Sequence, residues 1–377
     1  MSKILHITVL NPAIHTRIFY KIALSQHYLG FDVTVAGQGK NAQVHHYQGI
    51  KIVPRLPFGR FSWKRIWRHF ELFALAWREK PDMITTHAAE LIWVILLYKL
   101  FRPAVHLVYD VHENYNYNIR YSHPNPNVFH VVLSDLVRRM EKFSVQFLDA
   151  VCYAEECYEN ILDVPSEKKY FLRNKFTFRA AEGTISVKIP TVPYMLYTGT
   201  IDANRGIWET LELWQKINEI RPLLLVVAGH TFSNSLVEDI QAFVDKSNIS
   251  HQFILYGGIS YLEYSNIIEL IRNCWFGTGF YKVERKNIAP IIPTKIYEFM
   301  AFSKPLIFNE NPHWNTLNAR WNFGIGMTEQ QNIADFLKLL AVFPKEKQVV
   351  ENYSWETEEV EMKRMFRNVF PQEIEGR

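Results

Sequence analysis

The sequence is poor in cysteine, in long apolar runs and in charge of one sign, and each shortage closes off a class of function. Three cysteines, Cys152, Cys157 and Cys274, give no even framework for disulfides. The single C-x4-C pair lacks the second pair or the histidines that a zinc site needs, so reduced, buried thiols of a cytosolic chain are expected. The longest apolar run, 91–101, contains Lys99 and falls short of the roughly 20 residues of a membrane-spanning helix. MSKILHITVL enters an apolar strand with no basic region followed by a small-residue cleavage site, so no secretion signal is read. The expected location is the cytoplasm, or the inner face of the cytoplasmic membrane without crossing it. A formal net charge of +4 over 377 residues is too mild to imply a nucleic-acid partner. Short-period repeats and low-complexity segments are absent.

What is present is length for two cores and a repeated alternation of strand and helix patterns that implies parallel βαβ units. Strands are expected near 3–10, 31–36, 49–53, 83–86, 105–109, 150–153 and 169–172, with helices near 17–29, 62–78, 89–101, 127–147 and 155–163. A polar stretch, 173–193, marks the boundary. The alternation then restarts, with strands near 194–198, 223–227, 252–256, 275–280 and 305–308, helices near 207–220, 234–246, 260–272 and 294–302, and a final helix near 355–370. The fold class is α/β, with two Rossmann-like parallel-sheet domains, 1–172 and 194–352, joined by the linker 173–193 and followed by a C-terminal segment, 353–377. Open parallel sheets bind ligands at the carboxyl ends of their strands, so a site is expected in a cleft between the two.

PTKIYEFMAFSKPLI (293–307) holds an acid, Glu298, in an apolar setting. With Thr294 as N-cap the helix starts at Lys295, and such a start suits a phosphate. Glu298, one turn in, can accept hydrogen bonds from a vicinal diol such as a ribose, or can merely complement the helix dipole. YTGTIDANRG (197–206) follows a strand and offers Gly199, Thr200, Arg205 and Gly206 as an anion loop, a weak signal alone because Arg205 can also be a plain surface charge.

Together with HTRIF (15–19), GFDVTV (30–35), YDVHE (109–113) and RN (173–174), these segments make the chain resemble the retaining GT-B-fold glycosyltransferases of the large family-four group over nearly its whole length. The resemblance implies that 1–172 binds the acceptor, that 194–352 binds a UDP- or GDP-linked sugar, and that 353–377 crosses back to the first domain. Glu298 matches the second glutamate of the family's E-x7-E motif, a ribose clamp. Arg205 matches a residue that contacts the donor diphosphate, and His112 is similar to the active-site histidine near the transferred sugar. The nucleotide set is thus Gly199, Thr200, Arg205, Thr294, Lys295 and Glu298, and the catalytic set is His112, Arg205 and Lys295. Two departures stand out: the first glutamate is replaced by Pro290, and the glycine-rich loop after the first strand by NPAIHTR (11–17).

The resemblance implies front-face transfer with retention onto a glycan, lipid-linked in the reading adopted, in bacterial-type surface polysaccharide or glycan biosynthesis. No Asp-x-Asp motif occurs, in agreement with an enzyme that uses no metal or other cofactor. His15 and Arg17 are candidates for an acceptor phosphate, although Arg17 can equally be a solvated first-turn residue. Glu113 either orients His112 or caps the next segment. Asp32 and Asp110 read as isolated turn or cap acids, and His87, in THAAE (86–90), as a satisfied structural histidine. A same-fold nucleotide-sugar epimerase or hydrolase, and a non-catalytic subunit of a glycan-assembly complex, are the competing functions.

RLPFGRFSWKRIWR (55–68) interleaves Arg60, Lys64, Arg65 and Arg68 with Trp63, Ile66 and Trp67, and Phe70 extends an apolar stripe at helical spacing. An interfacial membrane helix has this pattern, as does a helix packed on its own domain with a charged outer face.

Overall fold

Eight strands of the first unit align in the order β3-β4-β2-β1-β5-β6-β7-β8. They are β1 (Lys3–Pro12), β2 (Asp32–Gln38), β3 (His45–Tyr47), β4 (Ile50–Arg55), β5 (Met83–Thr86), β6 (His106–Val111), β7 (Ala150–Tyr153) and β8 (Lys169–Phe171). All neighbours are parallel except the β3/β4 hairpin. The structure is a computed structural model and describes residues 1–59, 62–120, 127–281, 291–328, 330–344 and 348–371.

The chain divides into two units, Met1–Asn174 with Trp355–Arg377, and Lys175–Ser354. In the first, a π-helical turn, Thr16–Ala23, leads into α1 (Leu24–Tyr28), where a single α-helix is expected. Helices α2 (Lys64–Glu79), α3 (Ile92–Phe101), α4 (Tyr115–Arg120) and α5 (Val128–Ser144) follow. Leu72 and Leu75 of α2, Ile92 and Ile95 of α3, and Val137 and Met140 of α5 share one core against the sheet. Each fully buried large side chain among them, such as Leu72 or Ile95, contributes roughly 1.5–3 kcal/mol, while Val137 and Met140 are only partly buried. The opposite face is covered by Ile18, Phe19 and Ile22, and by the final helix Glu359–Val369, whose Phe366 stacks on Phe31 at 4.6 Å. The region expected as helix 155–163 is a short 3-10 turn, Glu156–Ile161.

The second unit has a wholly parallel sheet, β11-β10-β9-β12-β13-β14. Its strands are β9 (Tyr194–Thr200), β10 (Leu224–His230), β11 (Phe253–Gly258), β12 (Phe276–Thr278), β13 (Leu306–Asn309) and β14 (Gly324–Met327). Helices α6 (Ile207–Asn218), α7 (Asn234–Asp245), α8 (Tyr264–Asn273), α9 (Thr294–Ala301), α10 (Pro312–Trp321) and α11 (Ile333–Ala341) flank it. The stretch 173–193, expected as linker, is divided between the units. From Lys175 on it is held to the second, where Asn266 Oδ1 accepts from the Ser186 and Val187 N–H groups at 2.7 and 3.2 Å. Among the described residues, no helix is long and apolar enough to cross a membrane.

Candidate functional site

In the second unit, β9, β10 and β11 come into register at Gly199, Gly229 and Gly257. A Cβ on Gly229 would stand 1.8 Å from the Gly199 carbonyl oxygen, so this sheet edge must be bare backbone. Beyond it Asp202 accepts from the Asn204 N–H at 2.8 Å and sets a 3-10 turn, Ala203–Arg205, which leaves Arg205 exposed. Gly206 ends the turn at φ 77°, with Phe280 filling the space a side chain would need. Gly199 and Thr200 are exposed beside it.

Helix α9 brings Lys295 and Glu298 to the same neighbourhood, and both are buried. The Lys295 ammonium lies 4.9 Å from the Tyr197 ring centre and 5.5 Å from that of Tyr281, with the Thr278 carbonyl at 3.4 Å. No carboxylate pairs with it among the described residues. Burial, with Arg205 adding repulsion, lowers its pKa to about 7 against the pull of Glu298. Glu298 Oε1 accepts from the Tyr264 hydroxyl at 2.7 Å, so the acid is held by a neighbouring helix rather than solvated. Thr294 is exposed and is the first helical residue rather than the cap. Pro293, at φ −58° and ψ 140°, takes the cap position, and its carbonyl accepts from the Ile296 N–H at 2.9 Å. Pro290 lies outside the described residues.

In the first unit the polar residues gather at the carboxyl ends of β1, β5 and β6. Arg17 is buried, and its Nε and Nη2 donate to Asp110 at 3.0 and 2.6 Å while Nη1 donates to the Leu172 carbonyl at 2.7 Å. The guanidinium is therefore spent inside the unit, which corrects both readings of Arg17, as acceptor-phosphate ligand and as solvated residue. Asp110 is likewise no isolated cap acid. Its Oδ2 accepts from His87 Nδ1 at 2.8 Å, His87 Nε2 lies 2.9 Å from His6 Nδ1, and the Gln26 amide closes the chain 2.6 Å from His6 Nε2. Burial pushes the Asp110 carboxyl up, but Arg17, His112 and His87 outweigh it and hold it well below the usual carboxylate range. His87, Asp110 and His112 bring ligand atoms within 4.8 Å of one another. The guanidinium on Asp110 makes this an unfavourable cation site.

His112 Nδ1 stands 3.7 Å from Asp110 Oδ2, beyond hydrogen-bond length. It and His15 Nδ1 are buried atoms with no hydrogen-bond partner among the described residues. Burial, then the neighbouring His112, lowers the His15 pKa to about 3. Glu113 is exposed and accepts from Asn118 Nδ2 at 3.2 Å, so it ties down α4 rather than His112. His6, Tyr264, Tyr197 and Tyr281 escaped sequence reading, since each gains its role only from partners distant in the chain.

The basic aromatic helix is turned opposite to the packed-stripe reading. Trp63, Ile66, Trp67 and Phe70 are 71, 63, 61 and 54% exposed, while Arg68 and His69 face inward with Leu72 and Leu75. Arg68 donates to the Leu56 carbonyl and Arg65 pairs with Glu90, which removes Arg68 from the surface set and leaves Lys64 as the exposed cation. Arg60 lies outside the described residues. Helices α3 and α5, in the same layer, also expose large apolar residues, among them Leu100, Phe101, Val132, Leu136 and Phe143.

No family model and no curated protein matches the chain, but solved structures do. Sucrose-phosphate synthase from Thermosynechococcus elongatus gives a TM-score of 0.68 at 14% identity, covering 98% of this chain and 100% of that one. A glycosyltransferase from Rickettsia africae gives 0.65 at 11% identity, covering 98% and 99%. Anabaena HepE, solved in complex with UDP-glucose, gives 0.59 at 12% identity, covering 100% and 99%. The chain has the GT-B glycosyltransferase fold.

Proposed function

We propose that the chain is a retaining glycosyltransferase that moves a sugar from a nucleotide-diphosphate donor, UDP- or GDP-linked, to a lipid-linked glycan without a metal. One observation carries the reading: a buried lysine, Lys295, and an exposed arginine, Arg205, near enough to repel each other, with Glu298 one turn along the same helix. Two cations beside bare strand ends, neither in an ion pair among the described residues, suit a diphosphate, and a carboxylate beside them suits ribose hydroxyls. The UDP-glucose bound to HepE supports a nucleotide-sugar donor.

In this reading Gly199, Thr200 and Thr294 line the phosphates, and Arg205 and Lys295 stabilise charge on the leaving diphosphate. Catalysis comes from positioning and electrostatics rather than from a carboxylate pair. The acceptor attacks from the face on which the diphosphate departs; His112 serves the transferred sugar and His15 the acceptor in this reading. Thermal shift with excess UDP and GDP, followed by product analysis with the matching sugars, tests the assignment. A melting temperature unmoved by every nucleotide overturns it, because a ligand that binds the folded state must raise apparent stability.

The exposed Trp63, at the N-cap of α2, and Trp67 in its first turn favour a further element of the reading, attachment to the cytoplasmic membrane surface. Wild-type protein should sediment with anionic phospholipid vesicles, and the pair Trp63→Ser, Trp67→Ser should stay in solution. Equal sedimentation of the two proteins refutes attachment through this helix.

A further inference from the structure

We infer that Tyr264 is a positioning residue for nucleotide recognition: its hydroxyl holds the Glu298 carboxylate in the orientation that receives the ribose hydroxyls. This rests on the nucleotide reading of the second unit.

A carboxylate that reads a diol needs its rotation fixed, because an unsecured side chain must be ordered each time ligand binds. Glu298 sits on α9, and a partner that fixes it comes from another helix. Tyr264 is the first residue of α8 and donates to Oε1 at 2.7 Å. Burial, with the Glu298 charge beside it, holds the phenol well above its usual range, so it stays a donor at any working pH.

The start of α8 is itself clamped. Ser265 donates to the Thr184 carbonyl at 3.2 Å, and Asn266 accepts from the backbone of Ser186 and Val187. Further along, the Tyr194 hydroxyl donates to the Leu270 carbonyl at 2.6 Å and ties α8 to the central strand β9. Tyr264 is thus a rigid donor rather than a swinging one. The stretch 184–187 supports the site through it, which gives the docked part of the expected linker a task.

The test compares UDP with 2′,3′-dideoxy-UDP by calorimetric titration of wild type, Tyr264→Phe, Glu298→Gln and the double variant, with GDP and its dideoxy form as a second pair. Tyr264→Phe should bind the ribonucleotide about tenfold more weakly, the scale of a hydrogen bond to a charged group. It should bind the dideoxynucleotide as wild type does, and the double variant should be no weaker than Glu298→Gln alone. Equal weakening toward both nucleotides, or none toward either, overturns the assignment. If Tyr264→Phe fails to fold, Glu298→Gln probes the link from the other end, and a loss shared equally by both nucleotides overturns it. Wild-type protein that binds neither UDP nor GDP overturns the nucleotide reading itself, and this inference with it.

Discussion

Arg17 and Asp110 form a two-point ion pair in the interior of the first unit, with Nη2 2.6 Å from Oδ1, Nε 3.0 Å from Oδ2, and side chains only 2% and 1% exposed. Removing one partner strands the other charge away from water, at a cost of about 3–5 kcal/mol. Arg17→Met and Asp110→Asn are each expected to lower stability by that amount in urea unfolding. The double variant Arg17→Met, Asp110→Asn should cost less than the sum of the two, because it leaves no buried charge unpaired. Additive losses would show that the two residues do not act as a unit.

The same pair shows what a sequence reveals and what it hides. Lys295 and Glu298 were legible because they lie on one helix, where a spacing of three puts them on neighbouring positions. Asp110 looked isolated because its guanidinium partner is 93 residues away and meets it only when the sheet assembles. The apolar stripe of α2 was legible as a stripe, but periodicity defines an axis and not which side faces the sheet. Here the inward side carries Arg68, whose Nη2 donates to the Leu56 carbonyl, and His69, whose Nδ1 accepts from the Trp93 indole. The alternation of strands and helices could be read through β13. Past it, α10 buries just Trp314 and Leu317, and Gly324 and Gly326 thin the apolar run of β14, so neither carries a clear periodic signal.

Stability is expected to fall as pH drops from about 6.5 toward about 3. Burial is the main cause that lowers His6 and His15 to about 3 from 6.5. Across that window the unfolded chain takes up protons that the folded chain refuses, so unfolding is favoured as acid is added. Asp110, held low, adds its own loss only once the pH falls below the ordinary carboxylate range. Thermal melts of wild type and His6→Gln against pH give the check: the variant should show a shallower decline between pH 6.5 and 4, and parallel curves would exclude His6 as a source.

Nucleotide affinity should weaken as pH rises through about 7, the value to which burial and Arg205 bring Lys295. A bound diphosphate favours the ammonium form and raises that pKa, so binding above pH 7 takes up a proton. Calorimetric titration of UDP at pH 8 in buffers of different ionisation enthalpy measures the uptake directly. Lys295→Met should bind more weakly at pH 6.5 and show no uptake. An unchanged uptake in the variant would assign the proton elsewhere.

Glu141 gives a pH response of the opposite sign. It is buried on α5, one oxygen accepts from the Tyr109 hydroxyl at 2.7 Å, and the other has no hydrogen-bond partner among the described residues. Burial raises its pKa from 4.5 to about 7, against the hydrogen bond from Tyr109 and the charge of Arg138. Between those values the folded chain holds a proton that the unfolded chain releases, so the contribution of Glu141 is most favourable below pH 4.5 and declines up to about pH 7. Glu141→Gln keeps the shape and the acceptor for Tyr109 while removing the ionisation. It should leave stability nearly unchanged at pH 4.5 and raise it at pH 8 by up to roughly 3 kcal/mol, the free energy of moving a carboxyl from 4.5 to about 7. Urea unfolding at both pH values reads the difference, and a variant no more stable than wild type at pH 8 would mean that Glu141 ionises inside the fold at no cost.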